Sequence, residues 1–228
     1  QTGMAALAPS AVSGFTKSDV REMTPAEIRG VTEAFGNAAQ RARAAGFDGV
    51  QIHAAHGYLL SQFLSPVFNR RQDAYGGSPQ RRARAVLETV AQIRQKVGPT
   101  YPVLVKMNCA DFLEGGIEVE PAAEAAVWLQ EAGIDAIEIS GGTGASGALR
   151  PVRTGIASED AEAYFREAAA VFRRAVSVPL MLVGGIRSFH VAEEIVSGGT
   201  ADFVSMSRPL IREPALINRW RSGDRRKS

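Results

Sequence analysis

Ala45-Gly46-Phe47-Asp48-Gly49-Val50-Gln51-Ile52-His53-Ala54-Ala55-His56-Gly57-Tyr58 is the stretch that decides the architecture. Gly46 can take the left-handed conformation that ends a helix, and residues 47–52 then read as an apolar strand. Where the strand gives way to a loop stand two imidazoles three residues apart, with a phenol two further on. The same corner returns as Ala132-Gly133-Ile134-Asp135, and more loosely as Gly198-Gly199-Thr200-Ala201-Asp202. In each, glycine closes a helix and a polar residue precedes a strand without polar alternation, one expected to be covered on both faces.

Outward from that corner the pattern alternates. Thr24-Pro25-Ala26-Glu27 supplies a capping hydroxyl, a proline at the first helical position and a glutamate placed to bond back; Ile28, Val31, Phe35 and Ala38 follow on one face. A helix is therefore predicted to about Ala45. Ser78-Pro79 opens the next, which runs through Val86, Val90, Ile93 and Val97 to Gly98, and a strand over residues 103–107 follows. Helices are then predicted over residues 121–132, 158–176 and 191–196, with strands over 136–140, 180–183 and 203–206 and a last helix opened by Pro214. Successive βα units define an α/β fold, either a closed (β/α)8 TIM barrel or an open doubly wound sheet.

The unusual residues favour the barrel. His53 and His56, Lys106 and Asn108, Ser140-Gly141-Gly142, Gly184-Gly185 and Ser207-Arg208 all fall at or just past strand ends. A barrel assembles its site from many strand ends, whereas an open sheet concentrates its ligand at one switch point. Gly184-Gly185-Ile186 precedes a helix opened by Ser188, so bare amides can approach an anion, and Ser207-Arg208 adds a hydroxyl and a forked cation. Together they read as a phosphate cradle, against the plainer alternative of a tight turn. Lys106 ends an apolar run and must reach a carboxylate, solvent or a bound anion; it is either half of an ion pair or a cation beside a reduced cofactor ring. The histidines are either polar residues at a loop start or neutral donors to a carbonyl or nitro oxygen, with Tyr58 able to protonate the adjacent carbon. A shared metal lacks a third nearby histidine, since His190 lies one unit later.

Composition excludes other classes. With 228 residues, 45% hydrophobic and 22% charged, the chain can bury one sizeable core. A net charge of +2 gives no reason to expect nucleic acid, and Arg225-Arg226-Lys227 reads as a solvated tail. Cys109 is the only cysteine, which fits a reducing compartment, and no apolar run approaches a membrane span, so a soluble, cytoplasmic protein is expected.

The stretch from Gly46 to Leu60, followed by Gln62-Phe63-Leu64-Ser65-Pro66 and Asn69-Arg70-Arg71-Gln72-Asp73-Ala74-Tyr75-Gly76-Gly77-Ser78, resembles the Old Yellow Enzyme family of FMN-dependent NAD(P)H oxidoreductases. The likeness extends from Pro9-Ser10 to Arg208-Pro209-Leu210, with Ser207 and Gln72 departing from a usual glycine and threonine. It implies an FMN-bearing barrel in which NADH or NADPH reduces the flavin and hydride passes to an activated alkene. Carried over, His53 and His56 bind the activating oxygen and Tyr58 donates the proton. Lys106 lies beside the flavin's pyrimidine edge, and Gly184, Gly185, Ser207 and Arg208 hold the phosphate. The resemblance makes the strand before His53 the fourth, so residues 1–228 would be the C-terminal part of one FMN-binding domain, holding strands four to eight. The first three would come from a complementing N-terminal segment or another chain, and a homo-oligomer is left open. The alternatives are another FMN-barrel dehydrogenase, of dihydroorotate or dihydrouridine type, and a flavin-free incomplete barrel.

Overall fold

The computed structural model describes residues 5–12 and 19–228. β1 (Ala6–Ala8) and β2 (Val20–Glu22) form a small parallel pair. The main body then runs α1 (Pro25–Ala44), β3 (Val50–Ala54), α2 (Leu59–Leu64), α3 (Pro79–Val97), β4 (Val103–Asn108), α4 (Val119–Glu131), β5 (Ala136–Ser140), α5 (Arg166–Ala175) and β6 (Leu180–Leu182). It closes with α6 (Phe189–Ser197), β7 (Phe203–Val204), α7 (Arg208–Arg212) and α8 (Leu216–Arg221). The five strands β3 to β7 lie in chain order, every neighbour parallel. That one-way progression is the wall of a barrel; a doubly wound sheet would reverse its order at a switch point.

Local chemistry starts the helices as the sequence predicts. Thr24 accepts from the Glu27 amide at 3.2 Å while the Thr24 amide donates to the Glu27 carboxylate at 2.8 Å, a reciprocal cap. Ser78 caps α3 by accepting from the Arg81 amide. One face of the sheet, with Ile52, Val105, Ile137 and Leu180 in register, is buried against the helices. Each such aliphatic side chain contributes about 1.5–3 kcal/mol of burial.

The opposite face departs from the expectation of cover on both sides. His53, Lys106, Glu138, Met181 and Phe203 stand side by side across it. Gln51 and His53 are exposed, and Phe203 is 56% exposed. Toward β5 the same face is closed, with Glu138 7% exposed and Lys106 and Met181 half-buried, so among the described residues it is the side chains at its two edges that stand open.

Other boundaries moved for physical reasons. The strand expected over residues 47–52 runs Val50–Ala54, starting where the Val50 amide donates to Pro102 and reaching His53. The helix expected over residues 158–176 is only α5, preceded by a short 3-10 turn at Glu159–Ala161. Between them Ala163 takes φ 50°, the Tyr164 amide donates to Gly184, and Glu162 is drawn to the start of α6, so the helix cannot continue backwards. The helix expected at Pro214 begins at Leu216, and β1, β2, α2 and α7 were not anticipated.

The segment Asn69 to Ser78 is a clamp. The buried Arg71 guanidinium donates to Pro9 and Met23 carbonyls at 2.9 and 2.7 Å and pairs with Asp73, tying the β1–β2 pair to the loop. Asn69 donates to the Phe63 and Tyr75 carbonyls, both at 2.7 Å. At Gly76 an added Cβ would lie 2.4 Å from the Arg71 carbonyl oxygen, so only glycine fits. No helix among the described residues is long and apolar enough to cross a membrane.

Candidate active site

The turn after β3 is bent by two consecutive left-handed residues, His56 at φ 65° and Gly57 at φ 78°. For a residue with a Cβ that conformation costs about 1–2 kcal/mol, and it persists only where neighbours hold it. The His56 amide donates to Asn108 Oδ1 at 2.9 Å, and His56 bridges Thr143. Asn108, buried at the end of β4, uses its amide group on Asp111 Oδ1 at 3.0 Å and the Gly142 carbonyl at 3.1 Å. This turn brings three rings together: His53 lies 5.1 Å from His56 and 5.1 Å from Tyr58, centroid to centroid. Tyr58 is exposed.

The electrostatics keep both imidazoles neutral near pH 7. Burial, then the charge of Lys106 and then His53, pushes His56 down to about 4. Solvent reaches His53, yet partial desolvation followed by the Lys106 charge lowers it as well, with Glu138 opposing. His56 Nε2 is 2.7 Å from Ser140 Oγ, so one of its ring nitrogens is already engaged. Lys106 is half of an ion pair, with Nζ 3.0 Å from Glu138 Oε1, and Gln51 donates to the other Glu138 oxygen at 2.9 Å.

His56, Lys106 and Ser140 share a cavity of about 530 Å³ with Gly185, Ser207 and Arg208. Gly184 is buried and, like His53 and Tyr58, does not line the cavity; His53 packs against His56, and Tyr58 packs against His53. The lining carries five cations, Lys106, Arg153, Arg187, Arg208 and Arg212, and no carboxylate side chain. Gly184 and Gly185 take φ 137° and 73°, and an added Cβ on Gly185 would lie 2.9 Å from the Tyr164 ring. The amides of Gly184, Gly185 and Ile186 meet no acceptor among the described residues.

One expectation needs correction. The start of α6 does not offer bare amides throughout, because buried Glu162 accepts from the Arg187 and Ser188 amides at 2.9 and 3.0 Å and from the Ser188 hydroxyl at 2.7 Å. An internal carboxylate thus occupies the helix terminus. The open donors are the glycine turn itself. Sequence reasoning missed Glu138 as part of the site, whereas Ser140 on the rim and the loop continuing to Arg153 as one wall of the pocket are both readable from the sequence and both line the cavity. Glu138 could have been sought as a carboxylate inside an apolar strand, and the aromatic stack that holds Arg153 has no local signal.

These features define an α/β cavity with unpaired amides and an exposed arginine at the ends of its last two strands. The model of the NADH:flavin oxidoreductase / NADH oxidase family matches residues 3–227, and the chain belongs to that family. An NADH oxidase of Thermoanaerobacter brockii is 38% identical over 224 residues, 97% of this chain and 34% of that protein. An NADPH dehydrogenase of Geobacillus thermodenitrificans is 37% identical over 209 residues, 91% of this chain and 58% of that protein. A solved 2-naphthoyl-CoA reductase complex aligns with a TM-score of 0.87 at 32% identity, covering 96% of this chain and 33% of that one. An Old Yellow Enzyme homologue from Zymomonas mobilis aligns with a TM-score of 0.77 at 26% identity, covering 99% and 63%. The five-stranded sheet is thus part of a (β/α)8 barrel, and the chain spans about a third to three fifths of the length of these relatives. The family uses FMN with NADH or NADPH.

Proposed function

We propose that this chain carries the catalytic rim of an FMN-dependent oxidoreductase that reduces alkenes activated by a carbonyl or nitro group. The observation that carries this reading is the meeting of His53, His56 and Tyr58 at 5.1 Å spacings, beside a cavity whose far wall is a glycine turn with unpaired amides and Arg208. The residues present fit FMN: the glycine turn and Arg208 suit a phosphate ester, and Lys106 suits an electron-rich ring edge. The chemistry FMN supplies when bound is two-electron transfer, hydride in from NADH or NADPH and hydride out to the β-carbon of the alkene.

The chain's own groups do the rest. If the Ser140 hydroxyl donates to His56 Nε2, the proton of the neutral ring stays on Nδ1, free to donate to the substrate oxygen. His53, also neutral, is the second donor, and together they stabilise charge developing on that oxygen. Tyr58 Oη delivers the proton to the neighbouring carbon. Glu138 fixes Lys106 so that its charge stays at the rim. The same reading has further strands, from an N-terminal segment or another chain, covering the face that bears Gln51, His53 and Phe203; the greater length of the relatives supports it.

A visible spectrum under anaerobic conditions, before and after NADH or NADPH and then cyclohexenone, tests this. Bleaching of a flavin band by a nicotinamide nucleotide and its return with the enone is the expected sequence. A band that bleaches but ignores the enone favours another FMN-barrel dehydrogenase, and a protein that never takes up flavin sinks the reading. Native mass measurement tests the added strands, since a stable FMN-loaded monomer of these 228 residues shows that none is needed.

A further inference from the structure

Arg153 differs from the other cations of the cavity. Lys106 is 3.0 Å from Glu138 and Arg187 is 3.5 Å from Glu162; Arg153, Arg208 and Arg212 pair with no carboxylate among the described residues, and of these three Arg153 is the one packed on aromatic rings. Its guanidinium carbon lies 4.2 Å from the Tyr164 ring centroid, 5.3 Å from Phe165 and 5.5 Å from Phe112. Its Nε is buried without a hydrogen-bond partner. Stacking on aromatic rings fixes the direction of the fork at low entropic cost, while a buried unpaired donor is unfavourable until an acceptor arrives.

Separate contacts tie this arginine to Arg208 and to the glycine turn. Arg208 Nη2 donates to the Arg153 carbonyl at 3.0 Å. Tyr164, on which Arg153 stacks, donates its amide to the Gly184 carbonyl at 3.2 Å and its hydroxyl to the Pro151 carbonyl at 3.0 Å. The same ring fills the space where a Gly185 Cβ would stand. We propose that Arg153 is a second cation of the phosphate site, closing over a phosphate monoester seated at Gly185 and Arg208. The inference rests on the flavin reading above and adds a residue from the segment between β5 and α5. A phosphate dianion thereby meets two forked cations that line the same cavity.

Flavin binding by the full chain, followed by fluorescence quenching with FMN and with riboflavin, which lacks the phosphate, isolates this contribution. Arg153→Gln is expected to weaken FMN binding at least about tenfold and leave riboflavin unchanged, with Arg153→Lys between the two because it keeps the charge without the fork. Equal losses for both flavins, or no loss for FMN, overturn the proposal. If Arg208→Ala lowers the FMN preference while the Arg153 variants do not, only this inference fails. If Arg208→Ala also leaves the preference unchanged, the phosphate reading fails with it, and an unaltered chain that binds neither flavin sinks both.

Discussion

At the β3–β5 end of the cavity His56 is held by Asn108, Ser140 and Thr143, and Asn108 is itself fixed by Asp111 and Gly142. At the β6–β7 end the amides of the glycine turn are unpaired, β7 is two residues long, and Ser207 and Arg208 are exposed. The first end spends its hydrogen bonds internally to fix ring positions, as donors to a developing charge must be placed before the reaction. The second leaves donors open, as the proposed phosphate site requires. Geometry is prebuilt where chemistry is proposed and left unfinished where a ligand is to be held.

The sharpest way to test this contrast is to remove a reacting group without disturbing either end. Tyr58→Phe is expected to slow enone reduction about a hundredfold or more while flavin reduction by NADH or NADPH keeps its rate. Stopped-flow measurement of the two half-reactions checks this, and equal slowing of both would remove Tyr58 from the proton step. Next in size, Asn108→Ala leaves the His56 amide and the buried Asp111 carboxylate short of partners and is expected to destabilise the fold by about 2–4 kcal/mol. Arg208→Ala, at the unfinished end, should change urea-unfolding stability by less than about 0.5 kcal/mol. Comparable losses in the two variants would erase the distinction between the ends.

Gly185→Ala combines a left-handed backbone with a Cβ 2.9 Å from Tyr164, and is expected to destabilise by about 1–2 kcal/mol while weakening FMN binding. Titration with FMN and riboflavin reads the second effect. The last test is on pH. His56 is held at about 4, below the ordinary 6.5, so the unfolded chain binds its proton first as pH falls. The stability from its neutral form is complete above about 6.5 and is lost as pH falls through about 4. His56→Gln should flatten that part of the stability profile, and an unchanged slope in urea unfolding across the window would contradict the assignment.

Much of the architecture was legible because its signals are local. The Thr24–Glu27 cap lies within four residues, and the glycines that close α1 and α3 mark their own ends. The histidine pair and Tyr58 announced themselves by spacing. Other features were hidden because distant residues decide them. Glu162 belongs to an apolar-periodic run, yet it is claimed by the α6 terminus 26 residues later. Lys106 was open between ion pair and cofactor contact until Glu138, 32 residues on, was seen to hold it at the cavity wall. α2 has six residues and no side-chain cap, so nothing local marked it.

The amino-acid order alone fixed where α1, α3, α4 and α6 begin and end to within about two residues, that the strands follow one another in parallel, and which chemical groups stand at strand ends, since caps, glycine turns and apolar periodicity act between near neighbours. Only the tertiary structure decided that Glu162 occupies a helix terminus, that Arg153 stands unpaired on Tyr164, that the histidines are held neutral, and that one sheet face bears exposed side chains. Those outcomes depend on burial and on strand register, which place residues tens of positions apart within hydrogen-bonding reach.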